Sequence, residues 1–189
     1  MADCGCFVDG SANFTCRPSQ REEHSMLGLD TQRSWYNSYY GNHGQKFQGV
    51  VAPNGLFLQM WGPVSIRVHD SPLVLSSRLN QKLARLSDYS GVTIKAHGDS
   101  AYPRRSHLIK HASYSMAQKR IVNEWAFGKM QQHFSVTDFE ANLKVFLNRP
   151  ARTYIVCALL CNMHSCCYGS NCATYFRCPA PSLEEYLSM

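Results

Sequence analysis

Apolar residues along the chain fall into short blocks, and the breaks between them are rich in glycine, proline and polar residues. The first block, residues 4–8, predicts a short buried strand that delivers Asp9 at its end, with Gly10 and Ser11 stopping it. Residues 16–43 are polar and irregular, a long surface connection that carries an aromatic run at 35–40. Residues 45–52 and 55–62 are rich in Phe, Val, Leu and Trp, and Pro53-Asn54-Gly55 between them is a turn signal; together they predict a β-hairpin. Ser71-Pro72 opens a helix, since proline suits a first turn. Leu73, Leu75, Leu79, Leu83 and Leu86 supply its apolar face. Residues 92–96 predict a second strand, with Asp99 just beyond it. Residues 118–134 predict a helix whose buried stripe is Ile121, Val122, Trp125, Ala126 and Met130, with Glu124 on its border. Residues 152–166 predict a last apolar helix, and 179–189 a tail with a short helix start at Ser182.

The order is strand with acid, hairpin, helix, strand with acid, then helix with acid. It is the order of an α/β, RNase H-like fold, a mixed sheet flanked by helices, in which acids distant in sequence gather at one edge. Composition bounds this reading. A length of 189 residues fits one domain with a tail, and 44% hydrophobic residues allow a sizeable core. The division expected is a domain over 1–178 and a tail over 179–189. A formal charge of +6 is compatible with a nucleic-acid partner without requiring one. Met1-Ala2-Asp3-Cys4 has neither the basic start nor the apolar run of a secretory signal, so the nine cysteines are expected to be reduced thiols inside a cell.

Only 13 acids stand against 19 Lys and Arg, so acids set among apolar residues call for a reason. Asp9 lies in Phe7-Val8-Asp9-Gly10-Ser11, Asp99 in His97-Gly98-Asp99-Ser100-Ala101-Tyr102-Pro103, and Glu124 in Arg120-Ile121-Val122-Asn123-Glu124-Trp125. Two Asp at strand ends and one Glu on a helix is a layout that holds Mg²⁺, which needs one or two carboxylates plus substrate phosphate. Such ions can activate a water and stabilise a leaving oxygen.

At these residues the chain resembles a PIF/Harbinger-type transposase, a DDE superfamily endonuclease. The likeness extends to Tyr36-Asn37 with Gln45-Lys46-Phe47-Gln48-Gly49-Val50-Val51, to Pro53-Asn54-Gly55-Leu56, and to Gly62-Pro63 with Arg67-Val68-His69-Asp70-Ser71. It continues through Gly98-Asp99-Ser100-Ala101-Tyr102-Pro103 and through Arg120 with Glu124-Trp125-Ala126-Phe127-Gly128. Asn142-Leu143-Lys144-Val145, Asn162-Met163-His164 and Pro181-Ser182-Leu183-Glu184-Glu185-Tyr186 resemble the C-terminal half. The resemblance implies a divalent-metal-dependent DNA endonuclease with Asp9, Asp99 and Glu124 as catalytic triad and metal ligands, Mg²⁺ or Mn²⁺ as cofactor, DNA as substrate and the nucleus as location. Such enzymes leave a 3′-hydroxyl and use it for strand transfer. Asn123 stands where the family usually has Val. Only eight residues precede Asp9, where the family carries a DNA-binding region, so that region is expected to be absent and a separate DNA-binding protein is a candidate partner.

The alternative to the enzyme is a truncated or domesticated remnant that binds without cutting. Asp70 is a candidate fourth metal ligand, although a structural or ligand-orienting role at a helix N-terminus is preferred. Cys157, Cys161, His164, Cys166, Cys167, Cys172 and Cys178 raise a zinc-module reading, but no paired C-x₂-C spacing supports it. Arg104, Arg105, Lys110, Lys119 and Arg120 either contact phosphates or form an ordinary solvated surface. The aromatics at 35–40 either stack on bases or, as is more usual, pack a loop onto the core.

Overall fold

A computed structural model describes residues 5–18, 31–109, 121–138, 143–144 and 148–188. The elements in order are β1 (Cys6–Phe14), α1 (Thr31–Trp35), β2 (Tyr36–Asn37), β3 (Asn42–Val51) and β4 (Phe57–Ser65). They continue with α2 (Asp70–Ser76), α3 (Leu79–Ser90), β5 (Ala96–His97), β6 (Leu108–Ile109) and α4 (Ile121–His133). A 3₁₀ turn (Ser135–Thr137), α5 (Pro150–Tyr168), α6 (Asn171–Phe176) and α7 (Leu183–Ser188) complete them. The sheet runs β2-β3-β1-β5-β6, with β4 also on β3. The pairs β1–β3 and β3–β4 are antiparallel, while β1–β5 and β5–β6 are parallel. This is the mixed α/β sheet flanked by helices that the sequence predicts, consistent with an RNase H-like fold.

Strand alternation splits the core in two. Phe7, Phe47 and Phe57 meet Val122, Phe127 and Met130 of α4 and Tyr154, Cys157 and Cys161 of α5. On the other face, Cys6, Val8 and Val50 meet Val74 of α2, Leu79 and Leu83 of α3, and Tyr102. The hairpin turn forms as predicted: Gly55, with φ +84°, donates to the Ala52 carbonyl at 2.8 Å. The strand β1 does not stop at Gly10. It runs on to Phe14 because β3 pairs with it from Phe7 to Phe14. Gly10 is a packing residue rather than a breaker, since a Cβ there would collide with the Asp70 carboxylate and with Lys46 Cε.

The single predicted leucine-faced helix is two helices. Arg78 adopts a left-handed conformation, φ 54°, between α2 and α3. Beside it, buried Ser77 Oγ donates to the Val74 carbonyl at 3.0 Å and accepts from Gln48 Nε2 at 3.0 Å. The break turns the apolar face, so Val74 is buried while Leu75 and Leu86 are exposed. The second predicted strand shrinks to Ala96–His97, with Val92 exposed. The buried stripe of α4 is Val122, Asn123, Ala126, Phe127 and Met130, and Trp125 sits at its margin. The helix predicted over 152–166 spans Pro150–Tyr168. Residues 4, 19–30 and 118–120 of the predicted elements, and positions 142 and 145 of the C-terminal motif, lie outside the described residues.

The tail helix opens on a reciprocal cap: Ser182 N donates to Glu185 Oε2 at 2.8 Å, and Glu185 N to Ser182 Oγ at 3.2 Å. Among the described residues no helix is long and apolar enough to cross a membrane.

Tyr154 locks α5 to the sheet, its ring stacked on Phe47 at 4.5 Å and its hydroxyl 2.8 Å from Ser11 Oγ. Burial pushes this phenol up to about 12. A phenol whose folded value lies above its unfolded value of about 10 adds stability below pH ~10, and that share is lost as pH rises towards 12. Tyr154→Phe is therefore expected to cost about 1 kcal/mol at pH 8, from the lost Ser11 bond. The gap from wild type should shrink at pH 11, as read by urea unfolding at both values.

Candidate metal centre

The strand β1 carries Asp9 in its interior. By alternation the side chains of Phe7, Asp9 and Ser11 share the face covered by α4 and α5, on which Phe7 and Tyr154 lie. Parallel pairing of β1 with β5 matches Cys6 with Ala96 and Phe7 with His97. Asp9 and Asp99 each follow that last pair by two residues, so they stand level on neighbouring chain segments. Their carboxylates are gripped alike, each by the next residue's N–H: Gly10 N donates to Asp9 Oδ1 at 2.8 Å, and Ser100 N donates to Asp99 Oδ1. Both acids are half-buried.

The loop that carries Asp99 is built by its own motif. Tyr102 is fully buried and its N–H donates to the Asp99 carbonyl at 3.0 Å. A Cβ on Gly98 would lie 2.8 Å from Tyr102 Cγ, so only glycine lets the chain cross the ring there. On the other side of Asp9, its register partner Gly49 is overlaid by Phe127, and a Cβ at Gly49 would meet Phe127 Cζ at 2.5 Å. The Gly49 and Phe127 motif residues thus set how closely α4 approaches the acid-bearing strand.

Asn123 lies one turn before Phe127 on that inward side of α4. It is fully buried, and among the described residues neither its amide oxygen nor its nitrogen has a hydrogen-bond partner. Glu124, the next residue, is exposed. It lines a groove of about 370 Å³ with Lys129, His133, Ser170 and Asn171. Asp9 and Asp99 do not border this groove. Asp70 faces the opposite side of β1, against Gly10, where Lys46 Nζ holds it at 2.9 Å. Asp9 and Asp99 thus follow one register pair, Glu124 lines the groove beside Ser170, and Asp70 meets Lys46 beside Gly10. Among the described residues no group of three or more His, Cys, Asp or Glu is gathered around one point.

Sequence reasoning marks Asn123 only as a departure from the family's usual Val; its position four residues before Phe127 is the signal that it faces inward. An orphaned buried amide costs about 1–3 kcal/mol. Asn123→Val is expected to raise stability by about that amount, seen as a higher urea midpoint with an unchanged slope.

The cysteines of the C-terminal segment divide between core and surface. The eight described cysteines carry free thiols, and Cys157, Cys161 and Cys172 are buried. Burial pushes the Cys161 and Cys172 thiols up to about 11. Asn162 has a structural role: its side chain exchanges hydrogen bonds with both the N–H and the carbonyl of Phe57. Of the basic residues between the second and third acids, Arg104 and Arg105 are exposed, while Lys110, Lys119 and Arg120 lie outside the described residues.

No curated protein and no solved structure matches the chain. A family model described as DDE superfamily endonuclease matches residues 8–162, a span that includes all three sequence-predicted acids and most of the sheet and helices described above. The chain belongs to the DDE superfamily endonucleases, a nuclease and transposase-like family whose substrate is DNA.

Proposed function

We propose that this chain is the catalytic domain of a PIF/Harbinger-type transposase-like protein, with the domain over 1–178 and a tail over 179–189, that cuts DNA in the nucleus. In this reading Asp9, Asp99 and Glu124 are the catalytic acids, and a separate DNA-binding protein supplies site selection. The observation that supports it is the parallel register of β1 and β5, from whose last pair, Phe7 with His97, Asp9 and Asp99 are each two residues on. DDE endonucleases generally use divalent metals. The donor set fits a hard divalent cation, since Asp9 and Asp99 offer carboxylate oxygens and Mg²⁺ takes one or two of these plus substrate phosphates. When bound, Mg²⁺ or Mn²⁺ supplies water activation and charge stabilisation at the leaving oxygen.

The residues do the rest by placement. The N–H groups of Gly10 and Ser100 fix the two carboxylates before any ligand arrives. The Phe127 ring, seated over Gly49, shields the strand beside Asp9 from water. The Lys46–Asp70 pair braces β1 from behind at Gly10. No side chain need act as nucleophile.

The purified chain should nick supercoiled plasmid weakly in Mg²⁺ or Mn²⁺, with little sequence preference, and leave 3′-hydroxyl ends that a polymerase extends. Equal nicking in excess EDTA would contradict the reading. A second reading, a non-catalytic binding protein derived from such an enzyme, is favoured by one observation: exposed Glu124 borders the groove beside Ser170 rather than Asp9 and Asp99.

A further inference from the structure

We propose that the cleft between residues 33–40 and 66–70 binds an unpaired segment of DNA strand, at a site distinct from the acid pair. This rests on the reading that the domain acts on DNA. The cleft has a volume of about 670 Å³, within the ~300–1,000 Å³ typical of ligand sites. Its walls carry Tyr36, Tyr39, Tyr40, Arg33 and Arg67. Tyr39 is 87% exposed, and Tyr36 and Tyr40 are 40% and 45% exposed, so Tyr39 above all holds its ring in water. An aromatic face held in water is a stacking platform that accepts any base.

The platform is fixed in place. Tyr39 and Tyr40 meet edge to face at 5.0 Å, Tyr40 rests on Phe14 at 5.5 Å, and Tyr36 on His43 at 5.1 Å. Asn37 pins the loop twice: its Nδ2 donates to the Ile66 carbonyl at 3.0 Å and its Oδ1 accepts from Tyr39 N at 2.9 Å. Arg67 Nη1 donates to the Arg33 carbonyl at 3.2 Å, and Ser65 Oγ donates to the Ser34 carbonyl. Little ordering is left for a ligand to impose, which favours binding.

Charge names the ligand class. Arg33 and Arg67 are exposed at its rim, and the acid among its described lining residues, Asp70, is paired with Lys46. The cleft therefore attracts anions. An anion that also presents flat π-faces is a nucleic-acid strand, and its bases must be unpaired, because a duplex keeps those faces stacked inside. Asp70, which lines the cleft, also packs against Gly10, so a strand held there lies on the opposite face of β1 from Asp9.

The test is anisotropy titration of the full chain in EDTA, using a fluorescent oligothymidylate of about 12 nucleotides and a duplex of equal length. Tyr39→Ala should weaken single-strand binding about tenfold while duplex binding changes less than about twofold, and Tyr39→Trp should restore it. Arg33→Ala should lower the salt-dependence slope for the single strand by about 0.7. Wild-type single-strand affinity in Tyr39→Ala, or an equal loss for duplex, would overturn the proposal. The catalytic reading is scored separately by Asp9→Asn. If the cleft variants bind normally and Asp9→Asn fails to nick, the cleft inference alone falls. If they bind poorly and Asp9→Asn still nicks, the catalytic reading alone falls.

Discussion

Asp9→Asn is expected to abolish metal-dependent nicking while leaving the fold intact. Asp9 sits inside β1, where Phe7 through Phe14 pair with β3, and this ladder does not depend on the carboxylate. An amide keeps the size of the side chain and an acceptor for Gly10 N–H, but it removes the negative charge that a divalent ion needs. Groups that merely orient a metal ligand cost about 10–100-fold when lost. Losing a ligand should therefore cost more than about a hundredfold. Asp99→Asn should match it, because Asp99 stands at the same level. Asp70→Asn should cost about tenfold or less, since Asp70 meets Lys46 on the far side of β1. The comparison is made by single-turnover nicking at saturating Mn²⁺, with circular dichroism confirming equal folding.

Asn162→Leu should give the largest loss of stability among the substitutions considered. Asn162 is 3% exposed and belongs to α5, which crosses the sheet edge at β4. Its Oδ1 accepts from Phe57 N at 2.8 Å, and its Nδ2 donates to the Phe57 carbonyl at 2.8 Å and to Tyr186 Oη at 3.0 Å. One amide thus caps both outward backbone groups of an edge-strand residue and fastens the tail helix. Leucine fills the space but leaves a buried donor and a buried acceptor unpaired, at a cost of about 3 kcal/mol. For a chain of this length that lowers Tm by about 6–12 °C. Exposed Asn171→Ala should stay within about 0.5 kcal/mol of wild type. Calorimetry of the three proteins decides it.

These effects show what the sequence carries and what it withholds. The hairpin was legible because Pro53-Asn54-Gly55 states its turn chemistry locally, and the helices on both faces follow from apolar periodicity. The extent of β1 was not legible. Gly10 and Ser11 resemble breakers until Lys46 and Asp70 are seen to occupy the space a side chain would need. The break at Arg78 rests on a tertiary bond from Gln48 to Ser77, which no local pattern reports.

The candidate site divides in the same way. Asp9 and Asp99 were identifiable as acids among apolar residues, but their common level depends on the register of two strands far apart in sequence. Apolar periodicity puts Trp125 on the inward side of α4, whereas Phe127 takes that place because Gly49 opposite it leaves room for the ring. That difference rotates Asn123 towards the sheet and Glu124 towards the groove beside Ser170. The tyrosines at 36–40 were visible as a run, yet only the fold shows their rings lining a cleft.

The most direct test of the central claim is a crystal soaked in Mn²⁺, read by anomalous scattering at the manganese edge. A peak between the Asp9 and Asp99 carboxylates, lost in Asp9→Asn crystals, is the predicted result. Oxygen contacts from α4 to that peak would identify the third donor directly, Glu124 or the amide of Asn123. Saturating Mn²⁺ with no density near Asp9 and Asp99, or a peak that persists unchanged in the Asp9→Asn protein, would contradict the account.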